Sequence, residues 1–249
     1  MGFTIAVAGK GGVGKTTLAG LLVGRLIARG RTPVLAVDAD PNTCLDRVLG
    51  VRVEKTVGGL REDSNAARPE GMDKHRYLEL RVAESLVEAD AFDLIAMGRP
   101  EGPGCYCYAN AVLKDILARV VDEYPYIVID NEAGLENLSR RLVAKANALV
   151  LVADPSQRGL ETVKRLYDLA REMQIDFARL VIVINRLRTP ELPAAAGGLK
   201  DYTGADLLLG LPADTTLAEM DEQGAPLLQL AEGNAVLRGV EQVLEGLGL

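Results

Sequence analysis

Between the apolar run "FTIAVA" and the helical pattern "LAGLLVGRLIARG" lies the stretch "GKGGVGKTT", Gly9 to Thr17. It fits G-x-x-x-x-G-K-[ST], with Gly9, Gly14, Lys15 and Thr16 in the fixed places, and it has the strand-before, helix-after setting that gives this motif its meaning. Such a loop needs a buried parallel strand to launch it and a helix N-terminus to receive it, so it commits the chain to an α/β architecture. Gly11, Gly12, Val13, Gly14, Lys15, Thr16 and Thr17 are expected to cradle phosphate with backbone N–H groups. Lys15 would reach the β- and γ-phosphates and the Thr16 hydroxyl would bind Mg2+. A plain glycine turn is the bland alternative, and the flanking pattern argues against it.

The remaining chain repeats the alternation. "TPVLAVDAD", "AFDLIAMG", "PYIVIDN", "NALVLVAD", "RLVIVINR" and "ADLLLGLP" read as buried strands, and "HRYLELRVAE" as a further one. Helical patterns lie between them in "NAVLKDILARVVDEY", "ENLSRRLVAKA" and "SQRGLETVKRLYDLAREMQ". This predicts one domain over 1–249, with a mostly parallel sheet of seven or eight strands and helices on both faces. With no Trp and 48% apolar residues, its core must be Val, Leu, Ile and Ala. The polar segment from about 52 to 76 reads as a surface insertion. Ligands of such sheets bind beyond the strands' carboxyl ends. Those ends carry Lys10, Asp38, Asp40, Asp130, Asp154 and Asn185.

In "VDADPN", Asp38 and Asp40 share a side if the strand continues. "YIVIDNEAG" runs apolar into Asp130, which is expected to hold Mg2+ through its water shell. Glu132 is a weaker candidate. Each carboxylate has an alternative as a cap of the next helix, and Asn185 as a satisfied turn residue.

The chain has only three cysteines, and two stand one residue apart in "PEGPGCYCYANAV". On a continuous helix Cys105 and Cys107 would point roughly 200° apart. In the turn after Gly104 they can converge and supply half of a tetrahedral site. Nothing local suggests that His75 completes it. A twofold dimer would, with two thiolates from each copy. A strained disulfide or two inert small residues remain open from the residues alone. Cys44 reads as a small packed residue. The cysteine usage, the absence of a signal-like start and the lack of any membrane-length apolar run lead to an expected cytoplasmic location. The net charge of −7 argues against nucleic acid as a partner. The tail "AEGNAVLRGVEQVLEGLGL", with one arginine against three glutamates, argues against an anionic membrane and for a core-packed helix.

The second lysine of "KGGVGKT", Lys10, resembles the deviant phosphate-loop motif of the MinD, ParA and nitrogenase iron protein family. That resemblance implies a nucleotide-sandwich homodimer in which Lys10 reaches the partner's phosphates, with Lys10, Lys15, Asp40 and Asp130 as the catalytic set. It implies that Asn185, with Arg186 beside it, and backbone near Pro212 hold the adenine. The C-x-C pair, "DNEAGLENLSRR" and "DPSQRGLET" together resemble the CooC-type accessory ATPases of carbon monoxide dehydrogenase maturation. This narrower resemblance implies ATP and Mg2+ as cofactors, Ni2+ (or Zn2+) carried on Cys105 and Cys107 of both subunits, and an apo carbon monoxide dehydrogenase or related nickel enzyme as client. The alternatives are maturation of acetyl-CoA synthase, an iron–sulfur carrier, and a MinD/ParA-type positioning ATPase. "DNEAGLENL" lacks the cysteine that the iron–sulfur carrier has in that stretch.

Overall fold

Thr4 to Gly9 are all buried, which is what a strand covered on both faces requires. This strand, β1 (Phe3–Gly9), lies inside a sheet whose other members are β2 (Val34–Ala39), β3 (Leu86–Glu88), β4 (Phe92–Ala96), β5 (Tyr126–Asn131), β6 (Lys145–Ala153), β7 (Asp176–Leu187) and β8 (Leu207–Pro212). The computed structural model describes residues 2–59, 76, 80, 83–99, 113–118, 120–133 and 145–249. Among these, eight strands form one sheet in the order β3-β4-β2-β5-β1-β6-β7-β8. All neighbours are parallel except the β3–β4 pair at one edge. Helices α1 (Lys15–Ala28), α2 (Leu45–Leu49), α3 (Gln157–Glu172), α4 (Ala194–Thr203), α5 (Thr215–Gln223) and α6 (Ala235–Gly246) cover it.

The pleat sorts side chains into two cores. Ile5 and Val7 of β1 pack with α1, α2 and α6, through Leu18, Leu22, Leu45, Val240 and Val243. Ala6 and Ala8 face the opposite layer, with Leu160 and Val163 of α3, Leu199 of α4 and Leu113 and Ile116 of the helical residues 113–118. Leu18, Leu21, Leu22 and Leu26 are each at most 1% exposed. Each contributes about 1.5–3 kcal/mol by leaving water, which holds α1 and the loop before it on the sheet. The last helix is core-packed, as expected. Val240, Val243 and Leu244 are buried, while Glu241 pairs with Arg25 and Arg29 of α1. Among the described residues no helix is long and apolar enough to cross a membrane.

Two expectations need correction. "HRYLELRVAE" does not form a strand in its described residues. Arg76, Leu80 and residues 83–85 are helical, and the strand is the short β3 that follows. Leu78, Leu80 and Val82 alternate as in a strand, but Glu79, Leu80, Arg81, Ala83 and Glu84 are strong helix formers, and that preference prevails. The polar segment is also not surface throughout: Arg52, Glu54 and Lys55 are exposed, but the chain then turns inward. Val57 is fully buried in the core. Its N–H donates to the Ala96 carbonyl at 3.0 Å, and Gly58 N–H to Met97 at 2.7 Å. The strand end of β4 needed those donors. Residues 60–75 of the segment, His75 included, lie outside the described residues.

Candidate nucleotide site

The carboxyl ends of β1, β2, β5, β7 and β8 converge around the loop from Gly9 to Thr17. Val13, 2% exposed, anchors that loop in the core. Lys10, Gly11 and Gly12 stay exposed. Gly14 takes φ +93°, a left-handed conformation that starts α1 without a side-chain cap. Lys15 is buried, and its Nζ donates to the Lys10 carbonyl at 3.3 Å. Burial lowers its pKa, opposed by the charges of Asp130, Asp40 and Glu132. The loop thus brings Lys15 into the field of three of the predicted carboxylates.

Asp130 sits opposite Asp38 in the β2–β5 register. It is 1% exposed. Burial, then the charge of Asp38, push its pKa up to about 7, while the Thr16 hydroxyl bonded to it and Lys15 pull down. Its Oδ1 has no hydrogen-bond partner. Asp38 is fully buried, accepting from Asp40 N–H at 3.0 Å, Cys44 N–H at 2.8 Å and Leu45 N–H at 2.9 Å. Burial dominates there too, raising its pKa to about 6. Asp38 therefore ties down the loop that presents Asp40 at the lip of the site. Asp40 Oδ1 accepts from the backbone N–H and the side-chain amide of Asn42 at 2.8 and 2.9 Å.

Two adjoining cavities open from the loop. One, of about 540 Å3, is lined by Gly14, Lys15, Thr16, Cys44, Arg47 and Gln223 among others. The second, of about 300 Å3, is lined by Asn185, Arg186, Leu211, Pro212, Ala213 and Asp214 among others. Thr17, Arg186, Asp221 and Glu222 border both. A phosphate loop at one end and a partly apolar pocket at the other suit a ligand with a polyanionic tail and a flat head.

The sequence comparisons agree with that geometry. The AAA domain family matches residues 3–180. An uncharacterized ATP-binding protein of Methanocaldococcus jannaschii is 42% identical over 246 residues, covering 97% of this chain and 96% of its own. The chain belongs to the MinD/ParA-type family of P-loop ATPases. Another relative of this ATPase, the carbon monoxide dehydrogenase accessory protein CooC of Rhodospirillum rubrum, is 31% identical over 244 residues, 91% of this chain and 90% of that one. The fold matches that of the cell division ATPase MinD of Pyrococcus furiosus with a TM-score of 0.73 at 22% identity, over 100% and 99% of the two chains.

In this P-loop ATPase the residues present fit a hydrated Mg2+ beside phosphate: the orphaned Asp130 Oδ1 is buried next to the Thr16 hydroxyl. The structure brings Lys15, Thr16, Asp40 and Asp130 together at the loop, and Asn185, Arg186 and Pro212 at the second cavity. Asp154, by contrast, turns to a local duty, accepting from Ser156 N–H at 2.9 Å before α3. Cys44 is not a packed residue. It is exposed and lines the larger cavity, because the three bonds to Asp38 turn the chain outward there. Cys105 and Cys107 lie outside the described residues. Sequence reasoning gave no role to Asp38 or Arg47; the Asp pair in "VDADPN" was the available signal for the first, and the second carried none.

Proposed function

We propose that this chain is an Mg2+-dependent ATPase that closes as a homodimer on ATP and carries a thiolate-bound divalent metal, Ni2+ or Zn2+, to a nickel enzyme of the carbon monoxide dehydrogenase type. The observation that carries the nucleotide part is the convergence of Lys15 and Thr16, which line a cavity of about 540 Å3, on the buried Asp130 with its orphaned carboxylate oxygen. The client and the metal are supported by the likeness to CooC along nearly the whole chain, and by Cys105 and Cys107 one residue apart.

Lys15 would neutralise the β- and γ-phosphates as charge develops. Thr16 and Asp130 would hold Mg2+, which supplies charge neutralisation at the transferring phosphoryl group. Asp40, at the lip, would orient the attacking water. Exposed Lys10 would clamp the partner's phosphates, so that hydrolysis requires two copies. Each copy would then lend two thiolates to one tetrahedral metal site, coupling metal retention to the closed dimer.

Metal titration with light scattering tests the reading. We expect about one Ni2+ or Zn2+ per two chains, a dimer with ATP, and no tight metal binding in the Cys105→Ala/Cys107→Ala double variant. One metal bound by each single chain, or a monomer at saturating ATP and metal, refutes it.

A further inference from the structure

Two consecutive residues at the end of β7 grip two consecutive carbonyls of the phosphate loop, 172 and 174 residues away in sequence. Asn185 Nδ2 donates to the Val13 carbonyl at 2.9 Å. Arg186 Nη1 donates to the Gly12 carbonyl, also at 2.9 Å. The two are locked together, since Asn185 Oδ1 accepts from the Arg186 N–H at 2.9 Å. This needs an unusual backbone. The β7–β8 pairing shifts register between Ile184 and Leu187, and Arg186 takes φ +61°. A left-handed conformation at a residue with a long side chain is strained. A bulge of this kind re-aims side chains beside a site.

In a trans peptide the carbonyl and the following N–H point in opposite directions. Holding the Gly12 and Val13 carbonyls toward β7 therefore turns the N–H groups of Val13 and Gly14 away from it. The polarity of two loop amides is fixed by residues on another strand, one bond being charge-assisted. Asn185 also touches the loop closely: a Cβ on Gly14 would lie 2.4 Å from its Nδ2. We infer that Asn185 and Arg186, besides lining the second cavity, are positioning residues for the phosphate loop, preorganising it for a polyphosphate whether or not a base is attached. The inference rests on the nucleotide-binding reading above and extends it.

Affinities for Mg-ATP, Mg-GTP and the base-free Mg-tripolyphosphate separate the two ends. Arg186 is exposed, so its variants should fold, and thermal melts will verify that. Arg186→Ala should weaken the base-free tripolyphosphate about 10- to 100-fold, and ATP by at least that factor. Arg186→Lys, which keeps one donor, should recover part of the loss. Arg186→Gly, which relieves the backbone strain but removes the guanidinium, should do no better than alanine. Asn185→Asp, which sets a carboxylate oxygen against the Val13 carbonyl, should lose tripolyphosphate as well. The inference is overturned if tripolyphosphate binding is intact while the ATP-to-GTP preference collapses, or if Arg186→Gly binds like the wild type. A wild-type protein that binds neither ATP nor tripolyphosphate overturns the nucleotide reading itself.

Discussion

Replacing Asp130 by asparagine should make the nucleotide-free protein more stable at pH 8 while abolishing its Mg2+-dependent hydrolysis. Asp130 and Asp38 face each other on adjacent strands, 1% and 0% exposed. Burial first, and Asp38 second, raise the Asp130 carboxyl to about 7 from 3.8. Below about pH 3 the carboxyl is protonated in both folded and unfolded chains and costs nothing. As pH rises from there to 7, the unfolded chain releases a proton that the folded one retains, so stability falls; above 7 the deficit is complete. About three pKa units correspond to a ceiling of about 4 kcal/mol. That ceiling is already net of the attraction to Lys15 and of the Thr16 hydrogen bond, both of which pull the Asp130 carboxyl down. Between pH 5.5 and 8 the stability gap between Asp130→Asn and wild type should widen by about 2 kcal/mol in favour of the variant. Urea denaturation at a series of pH values, without nucleotide or Mg2+, measures it. A gap that is constant with pH, or a variant less stable than wild type at pH 8, would refute the reasoning that burial and the Asp38 charge raise the pKa of this carboxyl in the folded chain.

Further substitutions probe the loop and its support. Lys15→Ala should abolish ATP binding, whereas Lys10→Ala should bind ATP yet lose more than about tenfold in hydrolysis and in ATP-driven dimerisation; normal turnover in the Lys10 variant would exclude a cross-subunit role. Gly20→Ala should cost about 1–3 kcal/mol in urea denaturation, since its Cβ would meet Val48 Cγ1 of α2 at 2.1 Å.

Gly9 to Thr17 could be assigned from spacing alone, since a single strand–loop–helix unit makes the phosphate cradle and all its parts are contiguous. Asp130 was legible for the same reason, as the polar end of an apolar strand. The grip of Asn185 and Arg186 on Val13 and Gly12 was not, because a bulge and a left-handed arginine leave no periodic trace. Val57 shows the same limit. It stands among polar neighbours that read as surface, yet it fills a place that the end of β4 left open.

By itself the amino-acid sequence determined the central strands and the loop chemistry, because strand periodicity, helix periodicity and a nine-residue phosphate motif are all short-range. Only the tertiary structure decided which strand ends meet: it set Asp38 across from Asp130 and brought β7 against the loop after β1. Those contacts depend on the order of strands in the sheet, and burial then shifts the pKa values of the groups that meet, which no local pattern encodes.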